Sequence, residues 1–117
     1  VILAAGVLFL ARAGRPGPPW VRVARLSALP AGAVTEVLGP AGQVVVVDRR
    51  GGELRALLAP GGACPVEAAG DGFARPCAGH RWDATGAPAG DGQQRAPPPL
   101  RQVPVSFAGG DLYIDPR

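Results

Sequence analysis

The stretch QVVVVDRRGGELRALL, residues 43–58, decides the fold class of this chain. Four consecutive valines predict a β-strand, because β-branched side chains pack well on a pleated, half-buried surface. The sequence RRGG at residues 49–52 favours a tight turn, and residues 53–58 (ELRALL) can pair back as a second strand. The stretch therefore predicts an antiparallel β-hairpin.

Strand patterns recur on both sides of this hairpin. Four further segments have the pattern of short β-strands: residues 20–25, 34–38, 102–107 and 111–115. An AGG turn at residues 108–110 joins the last two of them as a second hairpin. Together these segments predict a small all-β, antiparallel domain over residues 20–117.

The composition fits one small domain with many turns. The chain has 117 residues, of which 47% are hydrophobic, and it contains 18 glycines and 14 prolines. Its net charge is +3, its acidic residues are interspersed with the arginines, and it has no basic stripe with interleaved aromatic residues. We therefore expect no nucleic-acid partner.

The N-terminal residues 1–11 (VILAAGVLFLA) are apolar throughout, and Arg12 ends the run. A membrane-spanning helix needs about 20 apolar residues, so we expect residues 1–12 to be the C-terminal part of a membrane anchor. A signal-peptide core and a buried helix are the alternatives, although a buried helix usually has a polar face. Residues 13–19 (AGRPGPP) are predicted to form a semi-rigid Pro/Gly linker with extended polyproline geometry.

A long turn-rich region between the two hairpins contains both cysteines, Cys64 and Cys77, and the only histidine, His80. These residues can ligate a metal, form a disulfide, or act as a nucleophilic thiol with its base. Two cysteines and one histidine are one ligand short of a closed zinc site, which Glu67 or Asp83 could complete. A nucleophile pair lacks a recognisable orienting group and oxyanion site.

Other notable residues have structural explanations. We expect Trp20 and Trp82 to be core or interface aromatic residues, and Asp83 to cap a turn through its own backbone. The three prolines at residues 97–99 are predicted to form a stiff connector. Without a metal, His80 is expected to lie in a loop with one hydrogen-bond partner.

Residues 20–117 resemble a Rieske iron–sulfur domain. The resemblance lies in the entry strand with its LPAG turn, the approach to the first cluster loop, the segment after the second loop, and the closing hairpin: residues 21–32, 43–65, 81–86 (RWDATG) and 97–115. The anchor and linker also resemble those of the Rieske subunits of cytochrome bc-type complexes. The resemblance implies a small antiparallel β sandwich or barrel with a cluster-loop subdomain, preceded by the end of a transmembrane helix.

The candidate ligands depart from the family pattern. A Rieske centre binds one iron through two cysteines and the other through two histidines. The family has Cys-x-His in the first loop, whereas this chain has Cys64-Pro-Val66, and valine cannot coordinate a metal. The second loop matches the family's Cys-x-x-His spacing with Cys77 and His80. A second alignment matches Gly79 to the glycine that follows the ligand histidine in the family, and it leaves no histidine ligand in this chain. One histidine cannot supply a two-histidine iron site.

From these departures we expect a degenerate Rieske-like protein without a conventional [2Fe–2S] cluster or other cofactor. It would be an accessory or structural subunit of a membrane-bound electron-transfer complex, respiratory or photosynthetic, and not an enzyme by itself. Because the two family cysteines bind the same iron, Cys64 and Cys77 are expected to lie close enough for a disulfide.

Two alternative functions are also consistent with the sequence. The first is an electron carrier that holds [2Fe–2S] through Cys64, Cys77, His80 and one further ligand, either Glu67 or a group from a neighbour. The second is a β domain with an unrelated binding role.

The expected partners are the other subunits of a membrane complex and, through residues 1–12, the membrane itself. Two features indicate opposite sides of the membrane for residues 20–117. Basic residues tend to remain cytoplasmic, and four arginines follow the anchor: Arg12, Arg15, Arg22 and Arg25. The resemblance to bc-type subunits implies the opposite, extracytoplasmic or periplasmic side, and we follow the resemblance.

Overall fold

The computed structural model describes residues 16–62, 64–90 and 96–117. Ten β-strands lie in these ranges: β1 Val21–Arg25, β2 Val34–Leu38, β3 Val44–Asp48, β4 Arg55–Ala59, β5 Glu67–Ala69, β6 Gly72–Arg75, β7 His80–Trp82, β8 Arg101–Val103, β9 Val105–Ala108 and β10 Asp111–Ile114. Three short 3₁₀ turns accompany them: Leu26–Ala28, Pro40–Gly42 and Pro76–Ala78.

The strands form three antiparallel sheets. The first sheet has the order β1-β10-β9, the second β2-β3-β4-β8, and the third β5-β6-β7. Every strand pair in these sheets is antiparallel. The all-β antiparallel prediction is therefore confirmed.

The predicted hairpin β3–β4 is the centre of the domain, and its sheet is buried on both faces. One face packs on the first sheet in a cluster that contains Leu29, Val45, Val47, Ala56, Leu58, Val103, Leu112 and Ile114. The other face packs on the third sheet in a cluster that contains Val46, Leu57, Ala59, Val66, Phe73, Trp82 and Leu100. Burial of both faces explains why four valines run without alternation, since neither side of the strand meets water.

The predicted single strand at residues 102–107 is wrong, because Pro104 divides it. Strand β8 pairs with β4 in the second sheet, and β9 pairs with β10 in the first. Proline has no N–H to donate to a ladder. The carbonyl of Pro104 still accepts a hydrogen bond from the N–H of Asp115, at 3.1 Å. The chain therefore crosses from one sheet to the other at this residue, which closes one corner of the sandwich.

The third sheet lies inside the region that the sequence assigned to a long loop. Its strands have only three or four residues each, and glycine and alanine make up half or more of β5 and β6, so no periodic pattern marks them. Their pairing is set by packing on the central sheet: Phe73 and Trp82 are buried cross-strand partners in the second cluster. This sheet carries the two cysteine loops.

The predicted membrane anchor at residues 1–12 lies outside the described residues. Within the described ranges, no helix has the length and apolar character that crossing a membrane requires. Of the predicted linker, residues 16–19 are described. A turn occurs there instead of continuous polyproline geometry, with the N–H of Trp20 donating to the carbonyl of Gly17 at 3.1 Å.

A buried carboxylate, Asp48, connects the ends of the central hairpin. Arg50 Nε lies 3.0 Å from its Oδ1, and Arg55 Nη2 lies 2.7 Å from its Oδ2. Burial by itself raises the pKa of Asp48, but the hydrogen bonds from Arg50 and Arg55 outweigh it and lower the pKa to about 2. Both guanidinium groups lie over the ring of Phe73, at 5.0 and 5.8 Å from its centroid.

The same two arginines hold the third sheet against the second. Arg50 donates to the carbonyls of Gly70 and Asp71, at 2.8 and 3.2 Å, in the β5–β6 turn. Arg55 donates to the carbonyl of Ala84, at 2.6 Å, just after β7. We call Asp48, Arg50 and Arg55 the Asp48 joint, since the sheet with the cysteine loops is fastened through it.

Candidate functional site at the cysteine loops

Two loops at one end of the third sheet carry the predicted site residues. The first loop connects β4 to β5, over residues 60–66, and contains Cys64. The second connects β6 to β7 and contains Cys77 in the 3₁₀ turn Pro76–Ala78. Gly79 closes this turn in the left-handed region, with φ 68°, and its N–H donates to the carbonyl of Pro76 at 3.1 Å.

The structure brings the two cysteines together and joins them in a disulfide. Their Cα atoms are 6.2 Å apart, within the usual range for a disulfide, and 13 positions separate them in the chain. Cys77 is exposed and Cys64 is half-buried. The bond ties the first loop to the second.

Arg75 lies between the two loops and is 2% exposed. Its Nε donates to the carbonyl of Cys64 at 3.0 Å, and its Nη1 to the carbonyl of Gly61 at 3.4 Å. Gly62 packs directly on the guanidinium: a Cβ atom there would lie 2.7 Å from Arg75 Cζ. The first loop is therefore fastened to the third sheet by Arg75 as well as by the disulfide.

The charge of Arg75 is incompletely compensated. Its Nη2 is buried without a hydrogen-bond partner, and no carboxylate in the described ranges forms an ion pair with it. A buried cation is costly unless it is paired, and backbone carbonyls supply only partial compensation. Sequence reasoning missed this residue, and the one available signal was an arginine two positions before Cys77 in an otherwise apolar strand.

Val66, the residue at the expected first histidine position, points into the core. It is 2% exposed and packs in the second cluster with Phe73 and Trp82. Its N–H donates to Glu36 Oε2 at 2.7 Å. Position 66 therefore fastens the end of the first loop to β2 and to the core.

His80 is the first residue of β7 and not a loop residue as predicted. It lies directly opposite Arg75 in the β6–β7 ladder. Its ring contacts Trp82 edge-on, with centroids 5.8 Å apart, and its Nδ1 is buried without a partner. Trp82 is 2% exposed and donates from Nε1 to the carbonyl of Pro98 at 2.9 Å, so its predicted core role is confirmed.

The two carboxylates considered as extra ligands have other positions. Glu67 is exposed in β5, where it pairs with Ala74. Asp83 Oδ1 accepts hydrogen bonds from the hydroxyl and N–H of Thr85 and from the N–H of Ala87, at 2.6 to 3.0 Å. The Thr85 hydroxyl is the main cause of a lowered pKa for Asp83. Asp83 therefore caps a turn, as predicted.

The residues at this site do not fit a Rieske centre. That centre needs two thiolates and two imidazoles. Here the two sulfurs are bonded to each other, Val66 is in the core, and His80 is the only imidazole in the sequence. Across residues 16–62, 64–90 and 96–117, no three His, Cys, Asp or Glu side chains are placed to hold a metal ion.

Comparison with known proteins gives a likeness among solved structures. No protein-family model and no curated protein sequence matches the chain. Among solved structures, the chain is similar to the ferredoxin of carbazole 1,9a-dioxygenase from Nocardioides aromaticivorans IC177, a Rieske-type ferredoxin. The two share 26% sequence identity with a TM-score of 0.57, over 84% of this chain and 98% of the ferredoxin. Together with the antiparallel sheets and the paired loops, this likeness shows that the chain has a Rieske-like fold.

Proposed function

We propose that this chain is a degenerate Rieske-like protein without a conventional [2Fe–2S] cluster. It acts as an accessory or structural subunit of a membrane-bound electron-transfer complex. The observation that carries the proposal is the bond between Cys64 and Cys77. Iron is bound by thiolates, and a disulfide provides none.

The membrane part of the proposal rests on the sequence. Residues 1–11 are apolar throughout and precede a Pro/Gly-rich segment, which is the arrangement of an anchor and a tether. A disulfide persists in oxidising compartments and is rare in the reducing cytosol. The Cys64–Cys77 bond therefore supports an extracytoplasmic or periplasmic position for residues 20–117.

The test is the iron and acid-labile sulfide content of the natively purified protein, with an EPR spectrum after reduction by dithionite. The carbazole dioxygenase ferredoxin, produced in the same host, is the positive control. We expect less than about 0.1 iron per chain and no signal, since both thiolates are held in the disulfide and one of the two imidazoles is missing. About two irons and two sulfides per chain, with a rhombic reduced signal, would refute the proposal.

A second candidate function is an electron carrier with non-standard ligation. The likeness to a ferredoxin at 26% identity favours it. In this case Cys64, Cys77 and His80 would hold [2Fe–2S] with a fourth ligand from Glu67 or a neighbouring subunit. Fewer imidazole ligands should lower the reduction potential below the Rieske range. A potential measured on any iron-containing fraction separates this carrier from a contaminating conventional Rieske protein.

A further inference from the structure

We propose that the Cys64–Cys77 disulfide is exchange-active and accepts two electrons from a dithiol of a partner protein. The partner's thiolate attacks Cys77 Sγ, and Cys64 Sγ is the leaving group. This activity goes beyond a structural role for the bond. It rests on three features of the cysteine loops: the unequal exposure of the two cysteine residues, the buried Arg75 guanidinium that is hydrogen-bonded to the Cys64 carbonyl, and the contacts that hold the first loop without the disulfide.

Exposure decides which sulfur is attacked. Cys77 is exposed, and so are the residues around it in the second loop, Pro76, Ala78 and Gly79. Cys64 is half-buried. Thiol–disulfide exchange depends on access of the attacking thiolate to one sulfur. An incoming thiolate therefore meets Cys77 first.

The environment of Cys64 suits a leaving thiolate. The guanidinium of Arg75 is held beside this residue by the hydrogen bond from Nε to the Cys64 carbonyl, at 3.0 Å. Its Nη2 is buried without a partner, and its charge has no carboxylate partner in the described ranges. A negative charge on Cys64 would compensate this cation. Cations next to a cysteine stabilise its thiolate, and a better-stabilised thiolate leaves faster.

The first loop keeps its place when the disulfide opens. Arg75 holds the carbonyls of Gly61 and Cys64 on one side. On the other side, Val66 is buried in the core and its N–H is bonded to Glu36 at 2.7 Å. Because neither contact involves a sulfur atom, both persist in the reduced protein.

The reaction balances as an ordinary two-step exchange. A thiolate of the dithiol attacks Cys77 Sγ and forms a mixed disulfide, the Cys64–Cys77 bond breaks, and its electron pair leaves on Cys64 Sγ. The second thiolate of the dithiol then attacks the dithiol's other sulfur, which is bonded to Cys77 in the mixed disulfide, and Cys77 Sγ leaves as a thiolate. The dithiol is oxidised to a disulfide and the two cysteines are reduced. The two thiol protons pass to the cysteines or to solvent.

The site of attack is tested on the folded full chain with glutathione, a monothiol that stops at the mixed disulfide. After a short exposure, free thiols are blocked with iodoacetamide and the peptides are identified by mass. We expect glutathione on Cys77 and the blocking group on Cys64, with the near-UV circular dichroism unchanged. Glutathione on Cys64, or opening of the bond only in denaturant, would overturn the proposal.

The role of Arg75 is tested with Arg75→Met, and Arg25→Met is the matched control. Arg25 is an exposed arginine at the end of β1, so its loss removes the same charge away from the sulfurs. We expect dithiothreitol to open the disulfide on the order of threefold more slowly in Arg75→Met, because Cys64 becomes a poorer leaving group. Equal opening rates in the two variants would show that Arg75 has no part in the exchange.

If Arg75→Met does not fold, a second measurement on the wild-type protein tests the same role of Arg75. In the reduced wild-type protein, the iodoacetamide reactivity of each cysteine is followed against pH. We expect Cys64 to remain reactive at a lower pH than Cys77, because the Arg75 guanidinium is hydrogen-bonded to the Cys64 carbonyl. The reverse order would contradict the assignment of Cys64 as the leaving sulfur. The iron content reports on the cluster separately, so the two proposals can fail independently.

Discussion

At the scale of single residues, Gly62 and Gly61 make a matched pair in the first cysteine loop. A Cβ atom at Gly62 would lie 2.7 Å from the guanidinium carbon of Arg75, whereas a Cβ atom at Gly61 meets nothing within 4 Å. We therefore expect Gly62→Ala to lower the free energy of unfolding by about 1–3 kcal/mol, the usual cost of overpacking a buried contact. Urea unfolding of the oxidised protein measures this cost.

The control for this prediction is Gly61→Ala, which keeps the carbonyl that accepts from Arg75 and adds a methyl group in open space. It should change the free energy of unfolding by less than about 0.5 kcal/mol. Equal destabilisation by the two substitutions would mean that the loop responds to lost glycine flexibility and not to contact with Arg75.

At the scale of elements, the Asp48 joint makes the attachment of the third sheet dependent on pH. The pKa of Asp48 is about 2 in the folded protein and 3.8 for an unperturbed aspartate. A lowered pKa gives stability that is fully present above pH 3.8 and is lost as the pH falls toward 2. For a side chain 6% exposed, this shift corresponds to about 2 kcal/mol.

The measurement is the free energy of unfolding between pH 6 and pH 2 for the wild type and for Asp48→Asn. We expect the wild type to lose about 2 kcal/mol more than the variant over this range, since the asparagine cannot titrate. Asp71→Asn removes an exposed carboxylate and keeps the carbonyl that accepts from Arg50, so it should follow the wild type. Parallel curves for wild type and Asp48→Asn would show that the joint contributes nothing.

The elements also show how far the sequence could predict the structure. The β3–β4 hairpin and strands β1, β2 and β10 were predicted within a residue or two at their ends, because their patterns and turns are local. Strands β5 to β7 were missed because they are short and their pairing depends on packing against the central sheet. The strand break at Pro104 could have been predicted from the sequence, because proline has no N–H to donate to a strand ladder.

The sequence predicts the two cysteines of the candidate site, but it does not predict the buried cation, Arg75. Cys64 and Cys77 were marked by residue type, and the structure places them together. The burial of Arg75 depends on how β6 turns toward the first loop, which no local pattern encodes. In the same way, Val66 was noticed as an absent ligand, while its role in the core follows from the third sheet.

At the scale of the whole molecule, the two core clusters lie on opposite faces of the central sheet, and neither contains a cysteine. The fold should therefore survive loss of the disulfide. On the chain-entropy model, a disulfide that closes a loop of this size raises the free energy of unfolding by about 3 kcal/mol. We expect Cys64→Ser/Cys77→Ser to fold with native near-UV circular dichroism and to lose about that much stability in urea. Failure of this variant to fold would show that the cores are insufficient alone.

Comparison of that double variant with the reduced wild type tests for a charge at Cys64, because both forms lack the cross-link. A thiolate beside the buried Arg75 guanidinium compensates a cation that has no carboxylate partner among residues 16–62, 64–90 and 96–117, whereas a serine hydroxyl carries no charge. We expect the reduced wild type to be more stable than the double variant at pH 8, by about 1 kcal/mol or more. The difference should shrink toward pH 5, as the thiolate takes up a proton. A stability difference that does not change with pH would come from the different size and packing of the sulfur and oxygen atoms. The guanidinium would then have no preference for a charged Cys64.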